Sequence, residues 1–178
     1  MRYIGILIMA GAAIGSGMFA AECLHVRLEI LQLLRQMIYH LKGQILYDNA
    51  TLPEALHEVG TRFAAERDGI FRVPGEFFSH VCARIDEDRG AAFSQVWKEE
   101  VEKIPLDVPM SDADRRNLVA LGDNLGYADR AMQERTLLFY LEQTDDTIAA
   151  LKQEVEVKGK LYRTLGMAAG VFLMVVLA

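Results

Sequence analysis

A chain of 178 residues, 52% of them hydrophobic, is long enough for one domain with a buried core and leaves little room for a second. Its formal net charge is −6, and every acidic residue lies between residues 22 and 163. Because binding to nucleic acid needs clustered Lys and Arg side chains that displace counterions, an acidic domain is a poor candidate for that function, and we expect no nucleic-acid partner.

The chain opens with an apolar segment, residues 3–21, that carries no charged side chain. A helix of this length covers about 28 Å, close to the roughly 30 Å hydrocarbon core of a bilayer. A cleaved signal peptide is the alternative, but only one charged residue precedes the segment and no Ala-x-Ala pair ends it. A lipoprotein site at Cys23 would need a small residue where Glu22 stands. We therefore predict a retained transmembrane helix over residues 1–21.

Residues 22–163 place apolar side chains at steps of three and four, the pattern of amphipathic helices, and no window alternates convincingly with a period of two. We therefore expect an all-α fold, a bundle of six helices. No proline follows Pro109, so the last helix can run unbroken into the C-terminal segment. The first expected helix runs from Leu24 to near Tyr47, the second starts at Thr51 and the third at about Pro74. The fourth passes through Phe93 and Trp97, the fifth is capped by the segment from Ser111 to Asp114, and the last starts at about Asp129.

The second helix begins with a capping sequence at residues 51–54. Thr51 is a suitable N-cap, and Pro53 lies in the first turn, where its missing N–H leaves no hydrogen bond unmade. Glu54 can reach back to the cap, as in a capping box. We therefore assign Thr51, Pro53 and Glu54 a structural role in starting this helix.

A second uncharged apolar segment, residues 164–178, covers about 22 Å as a helix. A buried core helix is the alternative, but residues 165–178 are apolar on every face, whereas a surface helix shows a polar side. Local thinning of the bilayer and snorkelling of Lys160 and Arg163 can absorb the short length. We predict a transmembrane helix here too, so that residues 22–163 form one domain between two spans.

Basic residues flank the two predicted spans on the side of the middle domain. Arg27 and Arg35 follow the first span, and Lys158 precedes the second. The other side offers only Arg2 and the α-amino group. Because positively charged flanks stay on the cytoplasmic side of a bacterial cell membrane, we expect the domain to face the cytoplasm.

Residue types that carry catalysis or bind metals show no shared pattern along the chain. Cys23 and Cys82 are far apart and form no CxxC pair, which fits a reducing compartment. The four histidines fall on three expected helices without the spacing of a metal site: His25, His40, His57 and His80. We therefore predict no catalytic residue, no cofactor and no metal site.

The sequence LGDNLGYADRAMQ, residues 121–133, interrupts the helical pattern with two glycines. We interpret Gly122 as a point of close helix approach and Gly126 as the left-handed residue that ends the fifth helix. Asp129 then caps the last helix, with its carboxylate at the positive helix end. Gln133 lies one turn further on, and we consider Asp123 and Gln133 possible contacts to a partner.

Two short motifs resemble those of inner-membrane platform proteins of type II secretion and type IV pili, the F protein or PilC family. Thr51 to Leu56, TLPEAL, is similar to the Leu-Pro-x-x-x-Leu helix start of that family, with one residue fewer before the second leucine. Residues 121–126, LGDNLG, resemble its Gly-Glu-x-x-Gly segment with Asp in place of Glu. The resemblance implies a six-helix cytoplasmic domain, although those proteins usually carry two.

The arrangement of the whole chain, one span, one domain and a second span, instead resembles the stage III sporulation protein AB family. The residues that carry the resemblance are LGDNLGYADRAMQ followed by LYRTLGMAAGVFLMVVLA. Membership implies a membrane platform on the mother-cell side of the apparatus that links mother cell and forespore. Such a platform would dock a cytoplasmic secretion-type ATPase and help other stage III sporulation membrane proteins to assemble, and it can form a homo-oligomer.

Two further functions stay open at this point. A membrane-anchored signal transducer or adaptor could use the long last helix to pass a movement from the membrane to the domain. A membrane enzyme would need a site that the sequence does not reveal. We predict a non-enzymatic assembly protein, because a membrane-held bundle without a catalytic pattern is suited to binding.

Overall fold

The structure is a computed structural model that describes the backbone of residues 2–88, 90–126 and 129–177. Within residues 22–159 it also describes the side chains, apart from positions 89, 127 and 128. These residues form helices and no strand, so the expected all-α class and its six α-helices are confirmed. The elements are α1 (Arg2–Leu46), α2 (Leu52–Ala65), a 3-10 turn (Gly69–Arg72), α3 (Val73–Glu87), α4 (Phe93–Lys103), α5 (Asp112–Leu125) and α6 (Arg130–Leu177).

The two long helices, α1 and α6, lie antiparallel against each other. Arg130 at the start of α6 donates to the side chain of Asn49, just after α1 ends. Further along, the guanidinium of Arg35 pairs with Asp145, with 2.9 Å between Nη2 and Oδ2. From that pair α1 runs back to its first residue and α6 runs on to its last, each about 50 Å. The two apolar ends of the chain therefore extend from the same end of the bundle.

The first helix is longer than expected. We predicted a separate helix from Leu24, but α1 is continuous from Arg2 to Leu46. No proline occurs before Pro53, and no glycine lies between Gly17 and Gly43, so nothing in the sequence breaks the backbone where the apolar segment meets the domain. The last helix runs unbroken from Arg130, as expected.

The two predicted spans, residues 1–21 and 164–178, fall on helical backbone, but nearly all of their side chains lie outside the described residues. Phe19 is described and is exposed. Among the residues that could be searched, no helix offers a stretch of sufficient length and apolarity to traverse a bilayer. Both spans, and the domain limits that depend on them, stay predictions.

The core is one cluster to which all six helices contribute. Its largest fully buried side chains include Trp97, Phe63 and Phe78. The helices α2 and α3 meet most closely, because a Cβ added to Gly75 would lie 2.5 Å from the backbone nitrogen of Ala64. Backbone contact of this kind is possible only where side chains are absent.

The expected start of α2 is confirmed. Thr51 is the N-cap, with Pro53 in the first turn. The carboxylate of Glu54 accepts hydrogen bonds from the hydroxyl of Thr51 at 2.7 Å and from its backbone N–H at 2.9 Å. Because these bonds favour the charged carboxylate, the pKa of Glu54 is lower than usual.

Candidate functional site

The first glycine of the motif lies where α5 meets α4. Gly122 is buried, and a Cβ added to it would lie 2.1 Å from Cδ1 of Trp97. The indole of Trp97 occupies the space above the glycine and donates from Nε1 to the carbonyl of Leu118 at 2.7 Å. The predicted close approach at Gly122 is therefore confirmed, and its partner is a side chain on α4.

The second glycine does not adopt the conformation that we predicted. Gly126 has a φ of −71°, in the right-handed region, so the left-handed assignment is wrong. A Cβ at this position would lie 3.0 Å from Cβ and Cδ1 of Phe93 on α4. The glycine is needed for space rather than for a left-handed turn, and α5 ends without a reversal of backbone handedness at residue 126.

Of the two polar residues that follow, one caps α6 and the other joins α6 to α5. Asp129 Oδ1 accepts a hydrogen bond from the N–H of Ala131 at 3.3 Å, so its predicted role as the cap of the last helix is confirmed. Gln133 is buried, and its side-chain amide donates to the carbonyl of Leu125 at 3.2 Å. That carbonyl lies in the last turn of α5, where helix carbonyls lack intrahelical donors.

The predicted partner contacts at Asp123 and Gln133 therefore lie in different surroundings. Asp123 is exposed and borders a polar groove of about 470 Å³ between α4 and α5, which Lys98 and Glu102 also line. The side chain of Gln133 is buried between α5 and α6, where it hydrogen-bonds to the last turn of α5. Contact of either residue with a partner stays a prediction, and only Asp123 presents its side chain to solvent.

A polar cluster that the sequence did not reveal joins α1 to the start of α5. The guanidinium of Arg27 makes two hydrogen bonds to Asp114, at 2.7 Å and 3.0 Å, and a third to the hydroxyl of Ser111 at 3.0 Å. Ser111 caps α5, and Asp114 completes a capping box by accepting from the N–H of Ser111 at 2.8 Å. One carboxylate thus serves both a helix cap and a contact between helices.

The environment of this carboxylate keeps it charged. Burial pushes the pKa of Asp114 upward, but the hydrogen bonds from Arg27 and Ser111 outweigh burial and hold the pKa below its usual range. Tyr140 of α6 is buried nearby and hydrogen-bonds to Thr144, and burial raises the pKa of the Tyr140 hydroxyl. The cluster is a structural junction of α1 and α5.

The other buried carboxylate, Glu100 on α4, is also paired. Lys103 Nζ lies 2.6 Å from it and Arg84 Nη1 lies 3.1 Å from it. Burial raises the pKa of Glu100, but these two cations lower it further than burial raises it. Neither buried carboxylate is poised to exchange a proton near neutral pH, and no group of three metal-binding side chains is found in the part of the chain that the structure describes.

An open apolar groove lies between α5 and α6, with a volume of about 290 Å³. Its α6 wall is a stripe at steps of three and four that includes Met132, Arg135 and Phe139. Phe139 is 65% exposed and Met132 42%. The other lining residues are Asn117, Ala120, Leu121 and Asn124 of α5 and Thr136, Tyr140 and Gln143 of α6. We call this surface the α5–α6 groove.

The sequence contained a signal for this groove. Met132 and Phe139 are seven residues apart and lie on the same face of α6. Neither belongs to the buried stripe of that helix, which includes Leu137 and Leu141. A group of exposed apolar residues on one helix face, unlike a single one, is typical of an interaction surface.

These features define the class of the protein: an all-helical bundle carried on two long antiparallel helices. The chain matches the family described as Stage III sporulation protein AB over residues 2–178 and belongs to that family. A relative from Bacillus subtilis (strain 168), named Stage III sporulation protein AB, is 20% identical over 177 residues, which cover 99% of each chain. No solved structure matches.

Family membership confirms the resemblance drawn from residues 121–133 and the C-terminal segment, and it assigns the chain a role in sporulation. Stage III sporulation protein AB is not a known enzyme family. The relation to the type II secretion F and PilC platform domains is tested by none of these matches and stays a prediction.

Proposed function

We propose that the chain is a non-enzymatic assembly platform of the sporulation channel between mother cell and forespore. In this proposal the apolar ends of α1 and α6 anchor it in the mother-cell membrane. The bundle then lies in the cytoplasm, where it docks a secretion-type ATPase and helps other stage III sporulation membrane proteins to assemble. Family membership supports the setting, and the structure supports the platform through its two long helices.

The antiparallel pairing of α1 with α6 is the observation that carries the proposal. The contacts of Arg35 with Asp145 and of Arg130 with Asn49 fix the direction of the two helices. Core residues run from Leu28 on α1 and as far as Leu151 on α6, so both helices leave the bundle at the same end. Two uncharged segments of 19 and 15 residues at that end form a paired anchor, with the bundle on one side of it.

The topology can be tested with a cysteine at Leu106, which is 94% exposed on the loop between α4 and α5. Cys23 and Cys82 are first replaced, with serine and alanine, so that the added thiol is the only one. In intact sporulating cells a membrane-impermeant maleimide should leave Leu106→Cys unlabelled, and permeabilised cells should show full labelling. Ready labelling of intact cells would place the bundle outside the cytoplasm and contradict the proposal.

Docking can be tested by cross-linked affinity purification of the chain from sporulating cells. We expect a secretion-type ATPase and other stage III membrane proteins to be recovered with it. An unrelated two-span membrane protein expressed at the same level is the control. If a stable, membrane-localised chain recovers no ATPase above this control, the platform proposal is wrong.

A signal transducer or adaptor is the second candidate, and the unbroken α6 favours it, because one helix connects the bundle to the C-terminal apolar segment. The two functions differ in their need for that continuity. Four glycines inserted after Gly159, which has open space around it, would interrupt the helix outside the core. A docking platform should still recover its ATPase and support sporulation, whereas a transducer should recover the ATPase and fail to support sporulation.

A further inference from the structure

We infer that the α5–α6 groove is the docking surface for an amphipathic helix of the cytoplasmic ATPase, with apolar side chains in the groove and a carboxylate on Arg135. The inference rests on the proposed function and names the surface that performs it. Three features of the groove support it: the exposed apolar side chains, the charge of Arg135 at the edge, and the distance between the groove and the anchored end of the bundle.

The groove has the shape and composition that suit a helix. Its two walls are antiparallel helices, and its lining side chains recur on each wall at steps of three and four. Phe139 and Met132 stand exposed, and Leu121 and Tyr140 form a buried floor. An amphipathic helix presents apolar anchors at the same steps, so it can fill the groove along its length. Removing Phe139 from water is the largest single gain that such binding offers.

Arg135 supplies the charge that selects the occupant. It is the only charged residue among those that line the groove, and it is exposed. In the part of the chain that the structure describes, no carboxylate lies within ion-pair distance of Arg135, whereas Arg27, Arg35 and Arg84 are all paired. A planar guanidinium with unused donors binds a carboxylate with two parallel hydrogen bonds. Two exposed acidic residues, Glu134 and Glu142, border Arg135 and Phe139 on the side away from α5. The complementary helix therefore carries Asp or Glu where it meets Arg135 and no acidic residue on that outer side.

The position of the groove favours a cytoplasmic partner. Gln143 and Met132 lie about 30 Å and about 50 Å along α6 from residue 164, where the second predicted span begins. Lipid and the spans of other membrane proteins are out of reach at that distance. A second copy in the same membrane would set the two α6 helices parallel across a two-fold axis, so that each Arg135 would meet its symmetry mate. Like charges would oppose that contact.

The test uses the 178-residue chain in detergent and the purified ATPase that the wild-type chain recovers. Phe139→Ser and Arg135→Glu should each weaken binding about tenfold or more, because each removes a central contact. Arg135→Lys keeps the positive charge but loses the two parallel hydrogen bonds, so it should weaken binding clearly, and less than Arg135→Glu does. The matched controls are Leu106→Ser, an exposed apolar residue outside the groove, and Arg67→Gln, an exposed arginine between α2 and α3. Both controls should bind as wild type does.

A photo-reactive amino acid at Met132 gives a second measurement. We expect it to cross-link to one helix of the ATPase with an apolar stripe and an adjacent Asp or Glu, whereas the same amino acid at Leu106 should not. If wild type binds the ATPase and the groove variants bind equally well, the docking surface is wrong and the proposed function stands. Cross-linking of Met132 to a second copy or to lipid would also overturn the inference. If wild type binds no ATPase, both fail.

Discussion

The two sides of α5 meet their neighbours in opposite ways. Towards α4, Gly122 offers no side chain, and the buried ring of Trp97 fills the space so completely that an added Cβ would lie 2.1 Å from it. Towards α6, Ala120 and Asn124 face Met132 and Phe139 across an open groove. Both sides of α5 face an aromatic side chain, but only Trp97 is buried against the helix, whereas Phe139 stays 65% exposed.

The difference shows how a surface for a partner is left in a small bundle. Close packing is reached where a large residue is matched by a gap of its own shape, as Trp97 is by Gly122. On the α6 side, the large residue Phe139 points outward, and the side-chain amide of Gln133 joins α6 to the last turn of α5. The two helices are therefore held together at the hairpin while their apolar faces stay partly uncovered further along.

The largest loss of stability is expected where α5 packs against α4. Gly122→Ala should lower the free energy of unfolding by about 3 kcal/mol, because the methyl group overlaps a fully buried Trp97 that cannot move away. Gly43→Ala on α1 is the control: a Cβ there meets nothing within 4 Å, and the change should stabilise by about 0.5 kcal/mol. Chemical denaturation of the purified chain measures both. Equal effects at the two glycines would show that α5 and α4 are not in close contact.

The next largest loss of stability is expected at the cluster that joins α1 to α5. Arg27→Met should cost about 2 kcal/mol at neutral pH, because it leaves the buried carboxylate of Asp114 without its cation. Arg35→Met, which breaks an exposed pair with Asp145, should cost less than about 1 kcal/mol. The difference between the two variants, measured by chemical denaturation, tests whether burial makes the first pair important.

The effect of Arg27→Met should also depend on pH. Because the folded state lowers the pKa of Asp114, the stabilisation is fully present above the pKa of the unfolded carboxyl, about 4, and is lost as the pH falls through the lower folded value. The difference in unfolding free energy between wild type and Arg27→Met should therefore shrink below about pH 4. A difference that stays constant down to pH 2 would contradict the assignment of the charge to Asp114.

Smaller losses of stability at Gly69 and Gly126 should distinguish a glycine required by its backbone conformation from one required by lack of space. Gly69 has a φ of +59° and open space around it, so Gly69→Ala should cost about 1 kcal/mol through the backbone alone. Gly126 has a φ of −71° and a neighbouring Phe93, so Gly126→Ala should cost less than about 1 kcal/mol through crowding. Adding Phe93→Ala should remove the cost at Gly126 and leave the cost at Gly69 unchanged. Thermal unfolding of five variants measures this: the two glycine variants, each of them combined with Phe93→Ala, and Phe93→Ala alone.

The smallest effect on stability is expected in the groove. Phe139→Ser should change the free energy of unfolding by no more than about 0.5 kcal/mol, because the ring is 65% exposed and is not part of the core. Leu137→Ser, two residues away on the buried stripe, is the control and should cost several times more. Strong destabilisation by Phe139→Ser would show that the groove belongs to the core of the domain.

Local signals in the sequence predicted the helices well. The cap at Thr51, the proline at position 53 and the apolar steps of each helix depend on residues close together in the chain, and these predictions agree with the structure. The left-handed assignment of Gly126 failed because the sequence does not show Phe93, which lies more than thirty residues earlier and fills the space beside it.

Contacts between distant residues could not be predicted in the same way. Arg27 and Asp114 are 87 positions apart, and their charges alone do not show that they meet. The sequence assigned Arg27 to the flank of a membrane span and Asp114 to a helix cap, and each assignment used only neighbouring residues. Met132 and Phe139 carried a visible signal, yet only the position of α5 shows that they border a groove.

The continuity of α6 gives the groove a mechanical consequence. Phe139 and the last residue of the helix belong to one rigid element, separated by about 57 Å at 1.5 Å per residue. A tilt of about 5° about Phe139 would displace the far end by about 5 Å over that length. With α1 paired alongside, both long helices would swing together. A small rotation at the groove would therefore become a larger displacement where the two helices end.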